Sequence, residues 1–231
     1  MQEIIITDLT RFSTKEKVCT AGINLTTGEC IRPMPYILES KRQELNLHPG
    51  AILRGHLTKT QSIQPHIEDH NYTNLEHLGS CTEEQFRRAL DISLKNDIRS
   101  GFDNKLPAGE KYIPKNTPPN NSIITIKIHP NRFEIIEDGY KPGKIKANLT
   151  DASGNSFRYL PITDLDFHDH AIGKNSRNEL RELNAFIHQQ EELYLRIGLS
   201  RPFQIGGRDG YWLQVNGIYT FPNFKKSMRG F

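Results

Sequence analysis

Gly28-Glu29-Cys30-Ile31-Arg32-Pro33-Met34-Pro35, near the start of the chain, and Gly154-Asn155-Ser156-Phe157-Arg158-Tyr159-Leu160-Pro161, in its second half, follow one pattern. Each reads Gly, two small or polar residues, an apolar residue, Arg, any residue, an apolar residue, Pro. Each is preceded by Leu-Thr (Leu25-Thr26, Leu149-Thr150) and, further upstream, by an Ile-rich run that ends in Arg-Phe (Arg11-Phe12, Arg132-Phe133). Three landmarks in the same order point to one small β unit used twice, and an internal repeat is settled before any other fold question. Within each copy the Gly tolerates the positive φ of a tight hairpin turn, and the closing Pro ends a strand because it has no N–H to give to a ladder.

Around these copies the chain divides into a first unit over 1–105, a Pro-rich linker over 106–121 and a second unit over 122–231. The linker carries Pro107, Pro114, Pro118 and Pro119 among several Asn and Gly, which interrupt regular structure. In the first unit, Val18 to Asn24, Glu29 to Met34 and Ala51 to Thr60 read as strands. A helix is expected from Thr82 to about Ile98, with Thr82 and Gln85 in capping-box positions and Phe86, Leu90, Leu94 and Ile98 on one face. In the second unit, Ile123 to Ile128 and Phe133 to Ile136 read as strands, and a helix from Ser176 to about Glu192 opens on Ser176 and Glu179. Leu193, Leu195, Ile197 and Leu199 then alternate with Tyr194, Arg196 and Gly198, the period of a strand. After a Gly206 to Gly210 turn, Tyr211, Leu213 and Val215 alternate with Trp212, Gln214 and Asn216. Asn216-Gly217 signals a type I′ turn.

Several strands and one late helix per unit suggest a mainly β fold with inserted helices (α+β), built as two tandem OB-fold-like small barrels. A pair of SH3-like barrels or one α+β sandwich remain the alternatives at this point. Hydrophobic residues make up 35% of the 231, enough for compact cores. The three cysteines, Cys19, Cys30 and Cys81, contain no CxxC pair, so neither a disulfide framework nor a zinc knuckle is indicated. The N-terminus enters a strand directly and no apolar run reaches spanning length, so a cytoplasmic protein without membrane contact is expected.

Net charge is only +3, but from Arg201 to Phe231 five basic residues (Arg201, Arg208, Lys225, Lys226, Arg229) face one acidic residue, Asp209. If the two alternating strands pair, Tyr194, Arg196, Trp212 and Gln214 stand together on the face away from the Leu and Val side chains. Two rings beside a guanidinium and an amide are what stacking on bases requires. Arg201 and Arg208 would contact phosphates. The alternative is that Trp212 covers a second small core or packs on the other barrel. Arg32 and Arg158, at equivalent places in the repeat, fit either phosphate binding or a structural cap on a carboxylate or carbonyl.

Two histidine clusters, His66, His70 and His77 with Glu68 and Asp69, and His168 and His170 with Asp164, Asp166 and Asp169, lack the spacing of a known metal signature and read as exposed polar loops. No metal ligands, cofactor or catalytic residues are assigned. There is no G-x-S-x-G elbow, Walker A sequence, HExxH or Rossmann fingerprint.

The opening Ile6-Thr7-Asp8-Leu9-Thr10-Arg11-Phe12, the element from Gly28 to Pro33, and the closing Leu195 to Pro202 and Tyr211 to Tyr219 resemble a prokaryotic family described as a dual OB-containing domain. The resemblance covers most of the chain but rests on its ends; the segment from Ser40 to Asn121 adds little. It implies two OB folds and, by fold analogy alone, binding of single-stranded DNA or RNA. It carries over no catalytic residue. Two other functions are weighed against it: an interaction module with a protein partner in a multi-gene system such as phage defence, and a metal-assisted hydrolase acting on nucleotides around His168 and His170.

Overall fold

In a computed structural model, which describes residues 1–12, 14–141, 144–173 and 177–223, both copies of the repeated motif become the second strand of an antiparallel hairpin. In chain order the elements are β1 (Gln2–Arg11), β2 (Lys17–Ile23), β3 (Cys30–Met34), β4 (Ile37–Leu38), α1 (Glu39–Glu44), β5 (Ala51–Lys59), β6 (Asp69–Ser80) and α2 (Glu83–Ile92). There follow β7 (Leu94–Lys95), α3 (Ile98–Gly101), β8 (Tyr112–Pro114), β9 (Ile123–Ile128), β10 (Phe133–Glu137), β11 (Ile145–Thr150) and β12 (Ser156–Pro161). The chain continues with α4 (Leu165–Gly173), α5 (Arg177–His188), β13 (Glu192–Leu199), β14 (Phe203–Ile205) and β15 (Arg208–Phe221). The fold is mainly β with a few helices.

In the first half the pairings β1–β2, β2–β3, β3–β6, β6–β5 and β5–β1 lead back to the strand they began from; β3–β6 is parallel and the others antiparallel. Ile4, Ile6, Leu9, Val18, Ile31, Leu53 and Leu57 fill the space these strands enclose. In the second half β9 pairs with β13, β13 with β15, and β10 with β11 and β11 with β12. The parallel contact is reduced there to one bridge, Ile162 to Val215, reinforced by the Thr163 N–H and hydroxyl donating to the Val215 carbonyl. A larger core, including Ile126, Phe133, Leu149, Phe157, Phe167, Leu183, Ile187 and Leu195, lies inside.

The segment expected to be a linker is built into the second half. Its Leu106 and Ile113 belong to the core there and β8 pairs with β15, while Phe102 and β7, from the end of the expected first unit, join the same core and pair with β9. Prolines at strand ends and in turns are compatible with this because each interrupts only its own ladder position. The capping box on α2 forms as expected: the Thr82 hydroxyl accepts from Gln85 N–H and the Gln85 side chain accepts from Thr82 N–H. The helix ends at Ile92, earlier than the apolar spacing suggests, and Ile98 is buried from the separate α3. Leu180, Leu183 and Ile187 are buried from α5 as expected, whereas its proposed cap Ser176 lies outside the described residues. Asn216-Gly217 is no turn. It forms a bulge within β15, where the register shifts opposite Arg196 and Ile197. A Cβ on Gly217 would meet the Tyr219 ring at 2.7 Å, so glycine here makes room for a packed ring.

Candidate nucleic-acid interface

The face of β13 that carries Tyr194 and Arg196 is not a surface. β1 supplies apolar residues to both of its faces, and its outer face, with α2, packs on β13 and β15 through Ile5, Ile23, Phe86, Ala89, Leu90, Tyr194, Tyr219 and Phe221. Phe86 meets Tyr219 edge to face at 4.9 Å, and the Tyr219 hydroxyl donates to the Thr7 carbonyl at 2.7 Å. Alternation along one strand shows which residues share a face; it does not show whether a second layer covers that face. Here the other half of the molecule covers it.

Arg196 is 0% exposed and pairs with Asp8, itself 1% exposed, at 2.8 Å. Its remaining donors reach Thr125 Oγ1 at 2.8 Å, Cys30 Sγ at 3.3 Å and Ser93 Oγ at 3.4 Å. Burial opposes the guanidinium charge, but the Asp8 carboxylate beside it outweighs that, and its pKa is raised. Burial also pushes the Cys30 thiol up to about 12, so it packs as a neutral thiol. Tyr194 donates to Asp91 at 2.8 Å, with Lys127 Nζ over its ring at 5.0 Å. Both residues therefore join the halves and are removed from an open binding face.

Arg32 is buried too. Its Nε donates to Asp69 at 2.6 Å and its Nη1 to Ser122 at 3.3 Å. Beside it the Glu68 carboxylate accepts from Ser122 N–H, Ser122 hydroxyl and Ile123 N–H at 2.6, 2.8 and 3.1 Å. The first histidine cluster is thus no exposed loop: His66, Glu68, Asp69 and His70 are all buried at this junction, while His77 stands apart on β6, partly buried against His48. The second cluster lies on α4, where His168 is buried against Arg11. Among the described residues no group of three or more His, Cys, Asp and Glu stands placed to hold a metal ion.

The open aromatic surface is on β8, β14 and β15. Trp212 is partly exposed, with Tyr112 stacked on it at 5.0 Å and 26° and Phe203 tilted beside it at 5.9 Å. Trp212 Nε1 donates to the Phe203 carbonyl at 3.1 Å, which fixes the indole plane. Gly206 and Gly207, at φ of 56° and 79°, form the two-residue turn that presents Phe203 on the adjoining strand. Arg208 lies over the Tyr112 ring at 5.5 Å while pairing with Glu110 at 2.8 Å. Gln214 is half-buried further along β15. Lys225, Lys226 and Arg229 of the basic C-terminal run lie outside the described residues.

Arg158 and Tyr159 are linked to this surface through Lys111, the chain neighbour of Tyr112. Both are exposed on β12, where they stand opposite Asn148 at a bulge, and Tyr159 adopts φ 60°. A left-handed tyrosine is uncommon, and bulges re-aim side chains near functional sites. Asn148 Oδ1 accepts the Tyr159 N–H, and Lys111 donates to the Arg158 carbonyl while lying 6.0 Å over the Tyr159 ring.

Of the residues singled out in the sequence, the structure brings Trp212 and Arg208 together here, leaves Gln214 two positions further along β15, and puts Arg158 on β12 at a hollow shared with Arg132, Glu134 and His188. It sends Tyr194, Arg196 and Arg32 to the junction between halves, and Arg201 to its rim. Sequence reasoning missed Phe203, Tyr112 and Tyr159. Phe203 lies between the Leu195 to Pro202 stretch and the Gly206 to Gly210 turn, where a hairpin residue is legible. Tyr112 was hidden by its proline-rich surroundings, and Tyr159 by occupying the free position of the repeat.

The family model described as "Dual OB-containing domain" matches residues 3–218, and the chain belongs to that family. No curated protein and no solved structure matches it.

Proposed function

From that membership, we propose that each half is an OB barrel and that the second half binds single-stranded nucleic acid without catalysis. The strand order supports the barrels. In the first half β1 pairs with β2 and β5, and β3 meets β6 in parallel. In the second half β9 pairs with β13 and the following β10 with β11, the two together standing where β1 does. The end of β12 meets β15 by a single parallel bridge, which makes β12 the third strand and β13 and β15 the fourth and fifth. In such barrels oligonucleotides lie across the second and third strands and the loop between the fourth and fifth. Phe203 occupies that loop, and Tyr159 the third strand.

The observation that carries the reading is the partly open Tyr112–Trp212–Phe203 array with Arg208 over the Tyr112 ring. A stacked base gains about 1–3 kcal/mol from such a ring whatever its identity. Titration with a mixed-sequence single strand should quench the lone tryptophan, less so at high salt, and Trp212→Ala should weaken binding by about 5–150-fold. Absence of binding to a labelled oligonucleotide at micromolar protein would overturn the reading.

A second reading, docking of a protein strand, is favoured by one feature. β14 is an edge strand whose Phe203 and Ile205 are 45% and 49% exposed. It predicts association with little salt dependence.

A further inference from the structure

We propose that a strand held at Trp212 continues across the junction onto Tyr36 and Phe12 of the first half, so that the two halves form one composite track for an oligonucleotide longer than either half holds alone. This rests on the nucleic-acid reading above.

The chain of contacts starts at Arg201, two residues before Phe203. Its Nη2 donates to Asp69 at 2.8 Å and its Nε to the Tyr36 hydroxyl at 3.0 Å, with the guanidinium carbon 5.8 Å from the Tyr36 ring. Tyr36 in turn contacts Phe12, ring centroids 4.8 Å apart. Rings and cations therefore alternate along one rim: Tyr112 and Arg208, Trp212 and Phe203, Arg201, then Tyr36 and Phe12. Beyond Phe12 lies a cleft of about 530 Å³ between the halves, lined by Arg11, Lys15, Lys17 and Arg42 on one side and Asp166 and Asp169 on the other. Lys15 and Lys17 are exposed, whereas Arg42 is occupied by Glu39 at 2.6 Å.

A purely structural tie would be buried, as Arg196 is. Arg201 instead keeps 42% of its side chain exposed, and both Phe12 and Tyr36 remain partly exposed. Asp69 offsets much of the Arg201 charge, so its open plane serves stacking, and phosphate attraction falls to Lys15 and Lys17. The Arg32, Glu68 and Ser122 hydrogen bonds fix the spacing of the two platforms, so a strand bridging them pays no entropy to order the protein.

The test uses labelled oligothymidylates of about 4 and about 16 nucleotides, spanning the usual site sizes of one OB fold. Trp212→Ala should weaken both. The double variant Phe12→Leu, Tyr36→Leu, which keeps apolar bulk and removes the rings, should weaken the long oligonucleotide by about tenfold or more and the short one far less. Lys15→Gln with Lys17→Gln should reduce the long ligand's salt slope by about 0.7 per lost phosphate contact. Equal binding of the long oligonucleotide by parent and both double variants, with Trp212→Ala still damaging, overturns the composite track and leaves the first reading standing. No binding of either length by the parent overturns both.

Discussion

The third strands of the two halves grow from the same eight-residue pattern and end in opposite situations. In β3, Arg32 and Pro33 are buried and face a three-residue parallel ladder with β6, Arg32 being held by Asp69. In β12, the equivalent Arg158 and Tyr159 are exposed at a bulge, and the parallel contact with β15 is one bridge. The connections between the last two strands of each half diverge likewise. Residues 60–68 carry Glu68 into hydrogen bonds with Ser122 and Ile123, while residues 200–207 present Phe203 and Ile205 to solvent. In one half these elements turn inward and dock; in the other they stay open. A repeated motif thus conserves a strand position without conserving what its arginine does.

The largest effect should come from the contact that joins the halves. Arg196→Ala leaves Asp8 buried and unpaired, at a cost of about 3–5 kcal/mol, and thermal unfolding should shift sharply downward. An unchanged melting temperature would remove the junction from the account.

Next, the equivalent arginines should separate. Arg32→Ala should cost about 3 kcal/mol, because Asp69 retains only Arg201, whereas the exposed Arg158→Ala should stay within about 0.5 kcal/mol. Denaturant midpoints of the two variants measure this directly, and equal losses would erase the distinction between the strands.

Acid should act on the docked loop. His66 lies in 60–68 with its pKa pushed down to about 3, by burial first and then by Arg201 and Arg32. Unfolded, it titrates near 6.5, so below that pH the unfolded state binds the proton and stability is lost as pH falls from about 6.5 towards 3. The slope from this one group is at most about 1.4 kcal/mol per pH unit, with His48 and His168, also lowered chiefly by burial, adding to it. Melting curves between pH 7 and 5 should flatten in His66→Gln. The open loop 200–207 has no histidine to contribute.

The smallest effect concerns the bulge. Tyr159→Gly relieves a left-handed tyrosine and should leave stability unchanged or raised by about 1 kcal/mol, while weakening oligonucleotide binding.

Much of this architecture was legible in the sequence. The two motif copies, the Thr82 capping box and the apolar alternation of Leu193 to Leu199 reflect local rules that tertiary structure left intact. Tyr194 and Arg196 lie elsewhere than expected for a physical reason: a strand with one face in the core of its own half and the other under the second half reads, in isolation, like a strand with a polar solvent face. Only the partner residue, Asp8, 188 positions away, reveals the difference. Tyr112 is hidden because dense proline and asparagine read as an unstructured linker, although β8 needs only three residues to pair with β15.

Amide hydrogen exchange with and without a saturating single-stranded oligonucleotide tests the division of labour between the halves most directly. The account predicts slowed exchange at 111–114, 157–161 and 199–214, with the outer stretch of β6 over 72–80 unchanged. Protection concentrated at 72–80, with none at 199–214, would contradict it.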